Sequence, residues 1–110
     1  MNQGEIWYAR LDPTEGSEQS GTRPILIISG NAWNRHSKLV IACSITSSVK
    51  NREGCIVLKK NDTNNLKEDS EILVFQIRSL SKMRLLNYVG FVSQHIMDQV
   101  IFHLNEFLEL

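Results

Sequence analysis

One arginine in this chain sits between two unlike stretches. Before it, residues 16–22 read GSEQSGT; after it, Pro24 opens the apolar run PILIIS. A residue that precedes proline is pushed out of the helical region into extended conformations. Arg23 is therefore held at the root of a strand while its side chain reaches outward. The loop before it carries Ser17, Glu18, Gln19 and Ser20 between Gly16 and Gly21, polar residues with the freedom to move over whatever Arg23 touches. Such a guanidinium suits a phosphate, whose oxygens accept its paired hydrogen bonds. A second candidate is the hydroxyl cluster Ser44, Thr46, Ser47 and Ser48 at the end of another apolar run. Where neighbouring strands bring the two ends together, Thr46 lies near Arg23, and hydroxyl and guanidinium make a candidate phosphodiester site. Two plainer roles stay open at this point. The arginine can simply end a strand beside a solvated loop, and the hydroxyls can close a strand by bonding local backbone.

The other chemistry-bearing residues give less. Histidine can act as a general base near neutral pH, but His36 in NRHSK reads as a loop residue. His95 and His103 fall on the outer side of a helical pattern. No HxxxH, CxxC, P-loop or paired-acid cage occurs, so neither a hydrolytic metal site nor nucleotide hydrolysis is expected, and no cofactor. Trp7, Tyr8 and Trp33 offer faces on which bases can stack, although Trp7 reads better as a core residue. Cys43 and Cys55 are the only cysteines. They read as small apolar strand residues, facing each other if 39–45 and 55–59 form a hairpin that turns near Val49, though a disulfide is not expected.

The elements that must position these groups fit one small domain spanning residues 1–110. An apolar fraction of 42% and a charged fraction of 22% are ordinary for a globular chain and argue against disorder. Runs such as LVIAC are far too short to span a bilayer. The opening MNQGEIWYARLD lacks the basic and apolar regions of a signal peptide. A cytoplasmic protein without a membrane partner is expected. Net charge is zero but unevenly spread. Residues 19–60 hold seven lysines and arginines against the single acid Glu53, and the remainder holds five against eleven acids. That asymmetry suggests a positive surface for a polyanion, with solubilising edge-strand charges as the alternative.

The pattern predicts strands over Glu5–Leu11, Pro24–Ser29, Leu39–Ile45, Cys55–Lys60, Glu71–Leu80 and Asn87–Ser93, with a turn at Asp12–Gly16 and a polar loop over Asn61–Ser70. After Ser93 the period changes to four, with Ile96, Val100, Leu104 and Leu108 on one side. That is an amphipathic helix with Ser93 as its N-cap. The fold class is mainly β with a C-terminal α-helix, a small antiparallel barrel.

With these residues in view, the sequence resembles the MazF/PemK toxins of bacterial toxin–antitoxin systems. The resemblance rests on GEIWYARLDPTEGSEQSGTRPILIIS, Asn34–Arg35, SITSS and the QIR of Gln76–Arg78. It implies an SH3-like barrel, a homodimer, and metal-independent cleavage of single-stranded RNA, neutralised by an antitoxin whose disordered tail covers the RNA site. It implies Arg23 and Thr46 as catalytic residues, Glu18 as a supporting acid, and RNA contacts at Ser17, Gln19, Thr22, Asn34, Ser47, Phe75 and Gln76. Some members carry an Arg-x-Asp pair where this chain has Leu73 and Phe75, and a histidine where it has Ser17. A mechanism built on that pair does not fit this chain, whereas one built on Arg23 and Thr46 does. Phe75 then offers a stacking face for a base. Two rivals share parts of this reading. One is a gyrase-poisoning toxin of the CcdB kind, which depends on a C-terminal tryptophan where this chain ends FLEL. The other is a catalytically silent RNA-binding module.

Overall fold

Alternation in EIWYAR and the apolar run TRPILI build the first two strands, β1 (Glu5–Arg10) and β2 (Thr22–Ile27). They pair antiparallel with Ile6 opposite Leu26 and Ala9 opposite Arg23. The computed structural model describes residues 1–11 and 21–109. The expected turn at Asp12–Gly16 and the candidates Ser17, Glu18 and Gln19 lie outside the described residues. After β2 comes a short helix that the sequence pattern did not predict, α1 (Asn31–His36). His36, expected in a loop, is the last residue of that helix.

β3 (Leu39–Thr46), β4 (Ile56–Leu58), β5 (Ser70–Ser81) and β6 (Leu85–Phe91) follow, and α2 (Gln94–Leu108) closes the chain. Ser93 caps α2 as expected, its hydroxyl accepting the Ile96 N–H at 3.2 Å. The six strands form one antiparallel sheet in the order β4-β5-β3-β2-β1-β6, curled into a half-barrel. Two apolar clusters result from the alternation of side chains across it. Ile6, Leu26, Cys43, Ile45 and Val74 pack with Met97 and Val100 of α2 on one face. Ala9, Ile25, Ile27, Val40, Ala42 and Leu80 form the smaller cluster on the other. Gly90 lets β6 pass close to the loop before β5, since a Cβ there would lie 2.5 Å from the Thr63 carbonyl oxygen.

The hairpin considered for residues 39–45 and 55–59 is not formed. β4 pairs with β5, with Val57 opposite Glu71, and β5 lies between it and β3. Residues 47–55 therefore cross the end of β5 instead of turning back on β3. Cys43 lies in β3 and Cys55 just before β4, which is not a neighbour of β3, and both are free thiols. Burial pushes the Cys43 thiol up to about 12, with a smaller upward push from Cys55.

Candidate active site

The arginine and the hydroxyls singled out by the sequence lie on neighbouring strands, β2 and β3. β2 and β3 pair antiparallel with Ile25 opposite Ser44, Leu26 opposite Cys43 and Ile27 opposite Ala42. The β2–β3 ladder ends at Ile25 and Ser44, before Pro24, which has no N–H to donate; the same register continued two residues further would bring Arg23 opposite Thr46. Arg23 also faces Ala9 of β1, and Thr46 faces Glu71 of β5. Directly opposed residues place their side chains on one face of a sheet. Thr46 and Glu71 therefore share one face, and the continued β2 register puts Arg23 on that same face. Thr46 is half-buried, and its Oγ1 accepts the N–H of Ser48 at 3.1 Å. The local backbone bond foreseen as a plainer role is thus made. It occupies an acceptor position of the hydroxyl and leaves the O–H as a donor.

Beside this row is a cleft of about 360 Å³, lined by Tyr8, Thr22, Arg23, Ser47, Lys67 and Ser70 among others. Thr22 and Ser47, both expected as RNA contacts, are exposed on it. Thr46 is not part of its lining. Its neighbours Ile45 and Ser47 are, as the alternation of β3 requires. The contribution of Leu66–Ser70 was not legible from sequence, where those residues read only as a polar loop.

Phe75 and Gln76 sit in a break of the ladder. Ser44 faces Leu73 and Cys43 faces Ile77, so Val74, Phe75 and Gln76 bulge out of the β3–β5 pairing. Such bulges re-aim side chains. Phe75 is 49% exposed, with its ring edge-on to Phe107 of α2 at 6.2 Å. Asn34, by contrast, does not reach the surface. It is 2% exposed, its Nδ2 donates to the Ser29 carbonyl at 2.9 Å, and its Oδ1 accepts the Ser29 hydroxyl. The Lys82 ammonium caps its carbonyl. Asn34 fastens α1 to the sheet, with its side chain turned inside the fold. Trp7 is similarly occupied, donating to Glu5 at 2.9 Å and lying edge-on to Tyr88.

Glu71 is the group that sequence reading missed. It is 0% exposed yet carries a carboxylate. Oε1 accepts the N–H groups of Lys50 at 2.8 Å and Asn51 at 3.2 Å, and Oε2 accepts that of Arg52 at 2.7 Å. The Arg52 guanidinium adds an ion pair at 3.0 Å. Asn51 is left-handed, with φ of 53°, which turns successive N–H groups towards one anion. Burial alone would push the Glu71 carboxyl up. The N–H groups of Lys50 and Arg52, the Arg52 charge and the Asn51 N–H together outweigh it, and the carboxyl is held below the usual range. Arg52, counted in the basic stretch 19–60, is thus committed inside the chain.

The chain matches, over residues 2–108, the family described as PemK-like, MazF-like toxin of type II toxin–antitoxin systems. It is 37% identical over 101 residues to the endoribonuclease MazF of Staphylococcus epidermidis, covering 91% of this chain and 84% of that one. The MazF of Staphylococcus saprophyticus is equally similar. Among solved structures, the MazE–MazF complex of Deinococcus radiodurans superposes with a TM-score of 0.81 at 25% identity, over 98% of this chain and 95% of that one.

Proposed function

We propose, since the chain belongs to the family of PemK-like, MazF-like toxins of type II toxin–antitoxin systems, that it is the toxin of such a system and cuts single-stranded RNA. The observation that carries this is the β2–β3 register, which, continued two residues beyond Ile25 and Ser44, brings the backbone of Arg23 opposite that of Thr46. The reaction is attack of a ribose 2′-hydroxyl on its own 3′-phosphodiester. The 2′-oxygen loses its proton and bonds to phosphorus, the bond to the 5′-oxygen breaks, and that oxygen takes up a proton. The products are a 2′,3′-cyclic phosphate and a free 5′-hydroxyl. Arg23 stabilises the charge that grows on the phosphoryl oxygens, a contribution worth about 3–4 kcal/mol in comparable sites. Thr46 donates its O–H to the same phosphate. Thr22, Ser47, Phe75 and Gln76 line the path of the RNA, with Ser17, Glu18 and Gln19 contributed by the preceding loop.

This chemistry calls for no metal. Among the described residues no three His, Cys, Asp or Glu side chains stand close enough to share an ion. The nucleophile comes with the substrate, held beside phosphorus by the ribose itself, and such proximity supplies much of a rate enhancement. Cleavage is expected to persist in excess chelator. Replacing the one ribose 5′ to the cut by deoxyribose is expected to stop cleavage while binding persists. A deoxy-substituted strand cut as fast as RNA would overturn this mechanism.

The relative solved with MazE supports a cognate antitoxin as partner of this chain; in the reading proposed here, a disordered tail of that antitoxin covers the RNA site. Among the described residues no helix is long and apolar enough to cross a membrane, and the cytoplasm, where messages are translated, is the compartment this function needs. Leu39, Ile77, Leu86 and Tyr88 are each more than a third exposed along the strands, apolar surface that a second copy would cover. Sedimentation at micromolar concentration is expected to give twice the 12.6 kDa of one chain; a monomer alone would refute the homodimer.

A further inference from the structure

We propose that Glu71 and Arg52 are positioning residues for Thr46, seating the Thr46–Ser48 turn so that its hydroxyl faces the scissile phosphate. This rests on the reading of Thr46 given above. Residues 47–55 leave β3, cross the end of β5 and enter β4. A segment that crosses a strand end in this way has backbone N–H groups with no ladder to join. Glu71, the second residue of β5, supplies the acceptors, taking the N–H groups of Lys50, Asn51 and Arg52.

The path from that carboxylate to the catalytic hydroxyl is short. One Arg52 nitrogen, Nη1, donates both to Glu71 Oε1 at 3.0 Å and to the Ser48 carbonyl oxygen at 3.1 Å. Ser48 in turn gives its N–H to Thr46 Oγ1 at 3.1 Å. A single residue thus takes a bond from the guanidinium at its carbonyl and gives one to the threonine hydroxyl at its amide. Fastening the crossing segment needs only the three backbone bonds. The further bond from Arg52 falls on the residue whose N–H orients Thr46. With the Ser48 N–H on its oxygen, the Thr46 hydroxyl is left to donate, which is what a phosphate oxygen requires. Because Glu71 neutralises Arg52, removing the guanidinium should cost alignment of Thr46 rather than grip on the RNA backbone.

The test uses the full chain and a single-stranded RNA that it cuts. Arg52→Ala and Glu71→Gln are made with Thr46 intact and in a Thr46→Ala background. Arg52→Ala keeps the three backbone bonds to Glu71, so it carries the test by itself if Glu71→Gln does not fold. Two readouts are taken: hydrogen exchange at the Ser48 amide, which needs no activity, and kcat and KM for cleavage. Arg52→Ala is expected to speed Ser48 exchange about tenfold. It is also expected to lower kcat about tenfold with KM within about twofold, and to cause no further loss once Thr46 is alanine. Unchanged Ser48 exchange, a loss confined to KM, or an equal loss in both backgrounds would overturn the proposal. Faster Ser48 exchange together with wild-type cleavage by Thr46→Ala would overturn the role given to Thr46 itself, and the positioning role with it.

Discussion

Arg23→Ala is expected to lower RNA cleavage about 100- to 1,000-fold, the usual loss when one donor to a developing negative charge is removed. The side chain sits where β2 begins, half-buried, on the rim of the cleft and in line with Thr46. Its strand is fixed by backbone pairing to β1 and by the buried Ile25, Leu26 and Ile27. Truncating Arg23 leaves those bonds and that burial in place, so circular dichroism and melting temperature should stay near wild type. Arg23→Lys separates charge from geometry. Lysine keeps the positive charge but not the paired donors, and is expected to recover only part of the activity. An alanine variant that folds and cuts at the wild-type rate would move the site elsewhere.

The second large effect concerns stability. Glu71→Leu removes the carboxylate that accepts three backbone N–H groups and leaves the Arg52 guanidinium beside an apolar side chain. Breaking a buried pair by deleting one partner costs about 3–5 kcal/mol. In a domain of this size that corresponds to a fall in melting temperature of more than ~10 °C. The same carboxylate makes stability depend on pH in a set direction. The folded carboxyl is held below the usual range, while in the unfolded chain it titrates near the ordinary value of about 4.3. Between the two values the unfolded state binds more protons, so stability rises with pH there. The contribution of Glu71 is complete above the ordinary value and fades as pH falls towards the folded one. Urea unfolding of wild type and Glu71→Gln from neutral to acid pH isolates it. The stability gap between the two should be constant above about pH 5 and narrow below. A gap of the same size throughout the acid range would show that folding does not lower the Glu71 pKa.

The strands and the long helix were legible because each is a local pattern. Apolar runs and period-four spacing mark them without reference to any partner, and all six strands lie within two or three residues of their predicted ends. Pairing is not a local property. LVIACSI and CIVLKK looked like a hairpin because they follow one another, and only the placement of β5 between them shows otherwise. The short helix α1 escaped because NAWNRH is stabilised by the buried Asn34 and its bonds to Ser29, not by propensity or periodicity. For the site, the pre-proline arginine and the hydroxyl cluster were visible as residue types. Asn34 was misplaced because a side chain that serves the fold and one that serves RNA look the same in sequence. Glu71 was invisible for a different reason. Its partners are backbone N–H groups 19 to 21 residues away, and every residue type has one.

The passage of residues 47–55 over β5 also sets an order of assembly. β3 is complete at Thr46, but its outer neighbour begins only at Ser70, and β4 can dock only on that neighbour. The chain must therefore close a long loop before the segment already made finds its seat, and the entropy of that closure comes before any rung rewards it. A nascent chain released before Ser70 contains both the arginine and the threonine. It lacks the carboxylate on which residues 50–52 settle, and so carries the reactive groups of a ribonuclease without the seat for one of them.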